Sequence, residues 1–263
     1  MIAVLLGLLI GAVLGLVGAG GSIIAVPAQV YGVGVNPVQA IPASLIVVGL
    51  GALAAVLPRI RQGIDWTTAA VVGAAGVPAA WIGTAVNRML NPNALMLIFA
   101  ALMVVAALRM LTAQRETTEL IQSRKFRAHA PRALAVGALV GFLTGLLGVG
   151  GGFIIVPALT LLLGLEMSTA VGTSLVIIVI NSVAGFSAHI QNLTLDWPIV
   201  LTFAASAIVG SLLSARVATK LPDKHIRITF AISILAIAAF VTISSGYALA
   251  TAQHMMPVKN QSL

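Results

Sequence analysis

In a chain this apolar, side chains that can hydrogen-bond or carry charge are the exceptions, and they mark where chemistry is feasible. Within the long apolar runs they are Ser22, Gln29, Gln39, Ser44, Thr173, Ser174, Asn181, Ser182 and Ser187. Hydroxyls in membrane helices often only bond their own backbone. Carboxamides are costlier to hide, so Gln29, Gln39 and Asn181 point to a polar cavity. Ser44, Thr173 and Ser174 follow as donors to an anion. Arg59 and His189 sit at the ends of apolar runs. Their plainer reading is a topology charge and an interface residue; the sharper one places both at the gate or path of an anion.

Six acidic residues are present, Asp65, Glu116, Glu119, Glu166, Asp196 and Asp223, and none lies inside an apolar run. A proton relay through a membrane-buried carboxylate is therefore not expected, which argues against a carboxylate-coupled cation antiporter. Asp65 and Asp196 each precede a tryptophan and then a helical run, the pattern of a helix cap beside an interfacial anchor. No nucleophile–base set, HExxH motif, nucleotide loop or cluster of metal ligands is present, so neither enzyme chemistry nor a cofactor is expected. There are no cysteines. That excludes disulfides and Cys-ligated metals.

Two glycine-rich phrases stand out, "GLVGAGGSIIAVPAQ" at 15–29 and "GLLGVGGGFIIVPAL" at 145–159. Isolated glycines such as Gly7, Gly11, Gly49, Gly73 and Gly76 are read as packing positions, because small residues let membrane helices approach closely. Consecutive glycines differ: each costs about 1 kcal/mol against alanine in a helix, so Gly18, Gly20, Gly21 and Gly148, Gly150, Gly151, Gly152 mark breaks. A break in lipid leaves backbone N–H groups unpaired unless protein or ligand meets them. The half-helix starting at the break, at Ser22 or after Gly152, presents its positive end there, which suits an anion.

The elements that position these residues follow from composition. The chain is 60% hydrophobic and only 8% charged, with a mean hydropathy of +1.12, whereas soluble domains carry about 25% charged residues. Apolar runs at 37–58, 66–86, 94–111, 168–188, 197–215 and 228–250 approach the roughly 18 to 20 residues that span a bilayer. They are continuous rather than alternating, so helices and not a barrel are expected. The basic residues that give a net charge of +8 lie between apolar segments. They read as topology signals and not as a nucleic-acid surface. The apolar start lacks a basic leading region, so a cleaved signal is not expected.

The chain is a duplication. Sliding the second half by 130 positions matches Gly15, Gly18, Gly20, Gly21, Val26 and Pro27 with Gly145, Gly148, Gly150, Gly151, Val156 and Pro157. Ala40, Ser44 and Leu45 match Ala170, Ser174 and Leu175, and after a one-residue slip Asp65-Trp66 meets Asp196-Trp197. Duplication of this kind is mainly a transporter trait. The divisions are a first repeat at 1–112, a linker at 113–132, a second repeat at 133–250 and a tail at 251–263.

The basic linker belongs in the cytoplasm by the positive-inside bias. Residues 133–163 then fit as a hairpin, since a single crossing would put the basic loop 216–227 outside. The same logic makes residues 1–33 a hairpin; about 31 residues as one helix would run roughly 46 Å against a core of about 30 Å. Each half becomes a broken-helix hairpin plus three crossings. Three is odd, so the repeats are inverted, with both termini periplasmic. The expected fold class is an all-α polytopic membrane protein of two inverted repeats.

The twin glycine phrases, the "AIPASL" and "AVGTSL" segments at 40–45 and 170–175, and the "DW" pairs resemble the TauE/SafE family over essentially the whole chain. The first copy departs, with Ser22 for the third glycine and Pro42-Ala43 in place of Gly172-Thr173. The resemblance implies export of sulfite or an organosulfonate such as sulfoacetate across the inner membrane. The expected function is thus a secondary transporter working by alternating access. An anion channel using the same half-helix ends is the alternative. Expected partners are a small anion and membrane lipid, with a homodimer permitted and nucleic acid excluded.

Single cysteines introduced into this cysteine-free chain test the topology. Ser123→Cys should label from the cytoplasmic side and Leu193→Cys from the outside; labelling of both from one side overturns the inverted arrangement.

Overall fold

The structure is a computed structural model. It describes residues 1–19, 21–87, 89, 101–109, 130–147, 152–189, 195–222, 224–226, 228–232, 235 and 239. For Ser22, Ile23, Pro37, Val38, Gln62, Asn87, Leu147, Phe153, Ala188 and His189 it describes the backbone only. In chain order the helices are α1 (Ile2–Val17), α2 (Gly21–Val33), α3 (Pro37–Arg59), α4 (Trp66–Asn87), α5 (Ala130–Leu147), α6 (Gly152–Leu161), α7 (Met167–His189) and α8 (Trp197–Ala218). A 3₁₀ turn, Ile60–Gln62, follows α3. Residues 101–109 and 228–232 are also helical, and no strand occurs among the described residues.

Among the described residues, four helices are long and apolar enough to cross a membrane: Gln39–Arg59, Trp66–Val86, Met167–Ser187 and Trp197–Ala218. They coincide with the apolar runs at 37–58, 66–86, 168–188 and 197–215. Half of the run at 94–111 and most of that at 228–250 fall outside the described residues. Ala130 begins α5 three positions before the sequence-based start of the second repeat. Its first residues belong to the stretch read as linker.

The first two helices, α1 and α2, behave as hairpin arms. The 16 residues of α1 extend about 24 Å, less than the bilayer core of about 30 Å. The next helix folds back along it: Gly21 lies against Ile10 and Leu14, and Gly32 against Leu6. As one chain position rises the other falls, so α1 and α2 are antiparallel. The Asp–Trp pairs behave as caps. Asp65 accepts the Thr68 N–H at 2.8 Å and the Thr68 hydroxyl at 2.6 Å, and Asp196 accepts the Ile199 N–H at 3.3 Å. Each satisfies an orphan donor of a helix start.

Isolated glycines decide how the halves join. A Cβ added at Gly7 would stand 2.9 Å from the Phe203 carbonyl oxygen, and at Gly11 and Gly15 it would run into the carbonyls of Ala207 and Ser211. The second half repeats the pattern. A Cβ at Gly137 would stand 2.7 Å from the Val72 carbonyl oxygen, and at Gly141 and Gly145 it would collide with those of Gly76 and Ala80. The glycines are matched by the 130-residue offset, and their partners by the slip after it. The first helix of each half therefore packs backbone to backbone on a long helix of the other half, α1 on α8 and α5 on α4. These are the most extensive helix contacts in the described structure.

Between these pairs, α3 and α7 cross. Gly49 sits beside Ser182, Gly185 beside Leu45, and Gly172 beside Arg59 and Ile64, an order that makes the two helices antiparallel. Their inner faces supply Val47, Val48, Leu175, Ile177 and Ile178 to a core that also takes Ile10, Leu14, Ile155, Leu159 and Phe203.

Overpacking a close helix contact costs about 1–3 kcal/mol. Gly11→Ala and Gly141→Ala should therefore lower the thermal midpoint in detergent and the yield of folded protein. Gly76→Ala, whose added Cβ meets nothing nearer than 3.5 Å, should leave both unchanged.

Candidate functional site

The first glycine phrase breaks the chain as its composition requires. Gly18 closes α1 in the left-handed region, with φ 67°, and returns its N–H to Leu14 O at 2.8 Å. That conformation strains any residue with a Cβ. Space imposes the same choice, because a Cβ at Gly18 would collide with the Val171 side chain and stand 2.9 Å from its carbonyl oxygen. The break is thus pressed against α7.

The carbonyls freed at the end of α1 find partners on other helices. Arg59 Nη2 donates to Gly15 O at 2.9 Å and reaches Leu16 O at 3.4 Å. Ser174 Oγ lies 2.7 Å from Gly18 O and 2.8 Å from Val171 O, so its single proton is shared between them. The guanidinium meets the negative end of the α1 dipole, worth about half an elementary charge. This accounts for part of its positive charge and for one of its three nitrogens.

Arg59 is only 1% exposed. It is the one charged side chain buried among the described residues, and its Nε and Nη1 have no protein acceptor. An unsatisfied buried donor costs about 1–3 kcal/mol, more when charged. The sequence reading of Arg59 as a topology charge did not anticipate that its side chain would be buried. The surrounding backbone is held by a further link across the halves, in which the Asp65 N–H donates to Thr173 Oγ1 at 3.1 Å. Gly172 makes the approach feasible, since a Cβ there would lie 3.0 Å from Ile64 and 3.9 Å from Arg59 Cβ.

Of the residues singled out from sequence, Gly18, Arg59, Thr173 and Ser174 come together here. Ser44, the repeat mate of Ser174, instead bonds Ile41 O in its own helix at 2.7 Å. Asn181 is half-buried, its Oδ1 unpaired and 4.0 Å from a Cβ built on Gly76. It lies two turns along α7 from Ser174, about 10 Å away. Gln29 is buried on α2 with Nε2 unpaired. Gln39 is half-buried in the first turn of α3 and gives its N–H to Asn36 O at 2.9 Å.

Gly21 begins α2 and Gly152 begins α6, both buried. Gly20, Gly148, Gly150 and Gly151 lie outside the described residues, as do the side chains of Ser22 and His189. Sequence reasoning missed the roles of the Gly15 and Leu16 carbonyls and of the Asp65 N–H, although it read the Asp65 side chain as a cap. The available signal was the replacement of Pro42-Ala43 by Gly172-Thr173, which puts a small residue and a hydroxyl on one helix only.

A buried cation with free donors, set between a broken helix and the hydroxyls of a crossing helix, can hold an anion inside the membrane region. The sequence matches the family described as "Sulfite exporter TauE/SafE" over residues 3–241. It is 32% identical over 239 residues to a "Probable membrane transporter protein" of Xylella fastidiosa (strain 9a5c), covering 89% of this chain and 92% of that protein. It is 29% identical over 248 residues to "Probable membrane transporter protein YunE" of Bacillus subtilis (strain 168), covering 86% and 91%. With a family match across nearly its whole length and a fold of membrane-spanning helices, the chain belongs to the TauE/SafE sulfite exporter family of membrane transporters.

Proposed function

We propose that the protein is a secondary transporter that exports small sulfur-containing anions, sulfite or an organosulfonate, across the inner membrane by alternating access. The observation that carries this reading is Arg59, a buried cation with free N–H donors and no acidic partner in contact among the described residues, placed against a helix break. Donors fixed in a low-dielectric site hold an anion more firmly than the same donors in water. Sulfite, which the family's description names, is of the small oxyanion class that such donors fit.

Alternating access is supported by how the halves relate. Their first helices pack on each other's long helices through matched glycines, while α3 and α7, which are repeat mates, run antiparallel. That combination is what an axis in the membrane plane would produce, and inverted repeats with broken helices are the common transporter plan. On this reading the linker is cytoplasmic and both termini are periplasmic. Gly18, Gly20, Gly21, Ser22, Thr173 and Ser174 line the anion site with Arg59. Gly148, Gly150, Gly151 and Gly152 form its repeat mate, and Gln29, Gln39, Ser44 and Asn181 supply polar positions along the path, with His189 at its other end.

Purified protein in liposomes tests the reading. Labelled sulfite should enter in a saturable manner and exchange with unlabelled sulfite. Arg59→Gln should lower the rate by about tenfold or more, the equivalent of at least about 1.4 kcal/mol, with Arg59→Lys retaining more activity than Arg59→Gln at equal folded yield. Conductance of many ions per event without saturable exchange would instead establish a channel, and unchanged flux in Arg59→Gln would remove Arg59 from the site.

A further inference from the structure

The levels at which the helices meet decide from which face the Arg59 site is reached. We infer that it is an off-centre loading site, opening through the turn after α3 to the face that carries the basic residues, which the proposed topology makes cytoplasmic. This deepens the proposed function and rests on the reading of Arg59 as an anion ligand.

The level of the site follows from its contacts. Arg59 ends α3, and Asp65, which caps α4, bonds Thr173 near the start of α7. Gly15, whose carbonyl Arg59 holds, lies against Ser211 and Ala215 close to the end of α8. The site therefore stands where α3 and α8 end and where α4 and α7 begin. Its deepest hydroxyl, on Ser174, is about 10 Å along α7 from Met167, short of the roughly 15 Å that reaches the middle of the hydrocarbon core. The end of α5, the repeat mate of α1, stands at the other level. Gly145 lies against Ala80, and the Leu146 nitrogen against Gly83. Ala80 is about 21 Å along α4 from Trp66. The two short helices thus end near opposite faces, whereas transporters of this plan commonly place their site at the midplane.

Charge distinguishes the two faces. At the level of Arg59, exposed Arg61 follows α3, exposed Arg216 and Lys220 lie at the end of α8, and exposed Arg132 is in the first turn of α5. That turn shares the face because α5 runs parallel to α4, Gly137 meeting Val72 and Gly145 meeting Ala80. Asp65 and Glu166 are the acidic residues described there. At the opposite ends of α3, α4, α7 and α8, Asp196 is the one Asp, Glu, Lys or Arg among the described residues. An excess of Lys and Arg marks a cytoplasmic face.

What closes the site differs on its two sides. Toward the far face α3 and α7 cross, burying Val47, Val48, Leu175, Ile177 and Ile178. A charged ligand enters such an apolar layer only at high cost. Toward the near face stands a turn. Its Ile64 packs on Gly172, where a Cβ would stand 3.0 Å away, and its Asp65 N–H holds Thr173 Oγ1 at 3.1 Å. Gly63, exposed and at φ 92°, gives the turn a joint that a residue with a Cβ adopts only under strain. Hinges are built from a few such loop positions. Opening the near side requires one hydrogen bond and one apolar contact to part, whereas opening the far side requires two long helices to separate.

Single-cysteine accessibility in right-side-out and inverted membrane vesicles tests the inference, with a membrane-impermeant maleimide and with Ser123→Cys and Leu193→Cys marking the two sides. Thr173→Cys, in a chain without native cysteine, should label about tenfold or more faster from the Ser123 side, as expected if the far-open state is a minor one. Ethanesulfonate, which unlike sulfite does not consume the maleimide, should slow that labelling severalfold. Adding Arg59→Gln to Thr173→Cys should remove the protection. Thr169→Cys, half-buried and one turn closer to the near face beside Gly63, is the second reporter where Thr173→Cys lowers the folded yield. Labelling of folded protein chiefly from the Leu193 side, equally from both sides or from neither overturns the inference. Labelling confined to the Ser123 side that ethanesulfonate does not slow leaves the near-face opening standing and removes Arg59 from the anion site.

Discussion

A helix inside a bilayer can be interrupted only where protein replaces the hydrogen bonds that the interruption removes. Much of this structure is arranged around that constraint at Gly18. The carbonyls released at the end of α1 are taken by a guanidinium from α3 and a hydroxyl from α7, so three segments far apart in sequence must meet at one point. Arg59 makes two of those bonds with a single nitrogen. One nitrogen of that side chain stabilises the break, and the other two are the donors that the proposed function assigns to an anion.

The two halves share a plan without sharing this arrangement. Arg59 occupies the position that the 130-residue offset assigns to His189, and Pro42-Ala43 stands where the second half has Gly172-Thr173. Ser44 turns back to its own helix, whereas its mate Ser174 reaches across to the break. Duplication supplied two frameworks, and substitution concentrated the polar chemistry described here where α1 ends against α7. An arginine keeps its charge throughout the physiological range, whereas a histidine does not.

The broad architecture was legible because it rests on composition and period. Long apolar runs fix the crossings, consecutive glycines fix the first break, and aspartate before tryptophan fixes two helix starts, all through local physics that leaves a mark in adjacent residues. The isolated glycines were legible as packing positions, yet nothing in sequence told which helix each would meet. Arg59 was the least legible, because its environment is made by Gly15 and Leu16 more than forty positions earlier and by Gly172 more than a hundred later. An arginine after an apolar run looks the same whether the next helix covers it or water does. The link from Asp65 to Thr173 is hidden for the same reason: a backbone donor leaves no signature in residue type.

The glycine contacts between α1 and α8 also govern how the chain is made. The partner of α1 begins at Trp197, about 180 residues after α1 ends, and at 5–20 residues per second a ribosome needs roughly 10 to 40 s to reach it. The partner of α4 follows after little more than 40 residues, at Ala130. The α4–α5 pair can therefore assemble while synthesis continues, whereas the opening hairpin must wait in lipid with its glycine face uncovered until the closing part of the chain arrives. The order of translation therefore locks that hairpin after the α4–α5 pair.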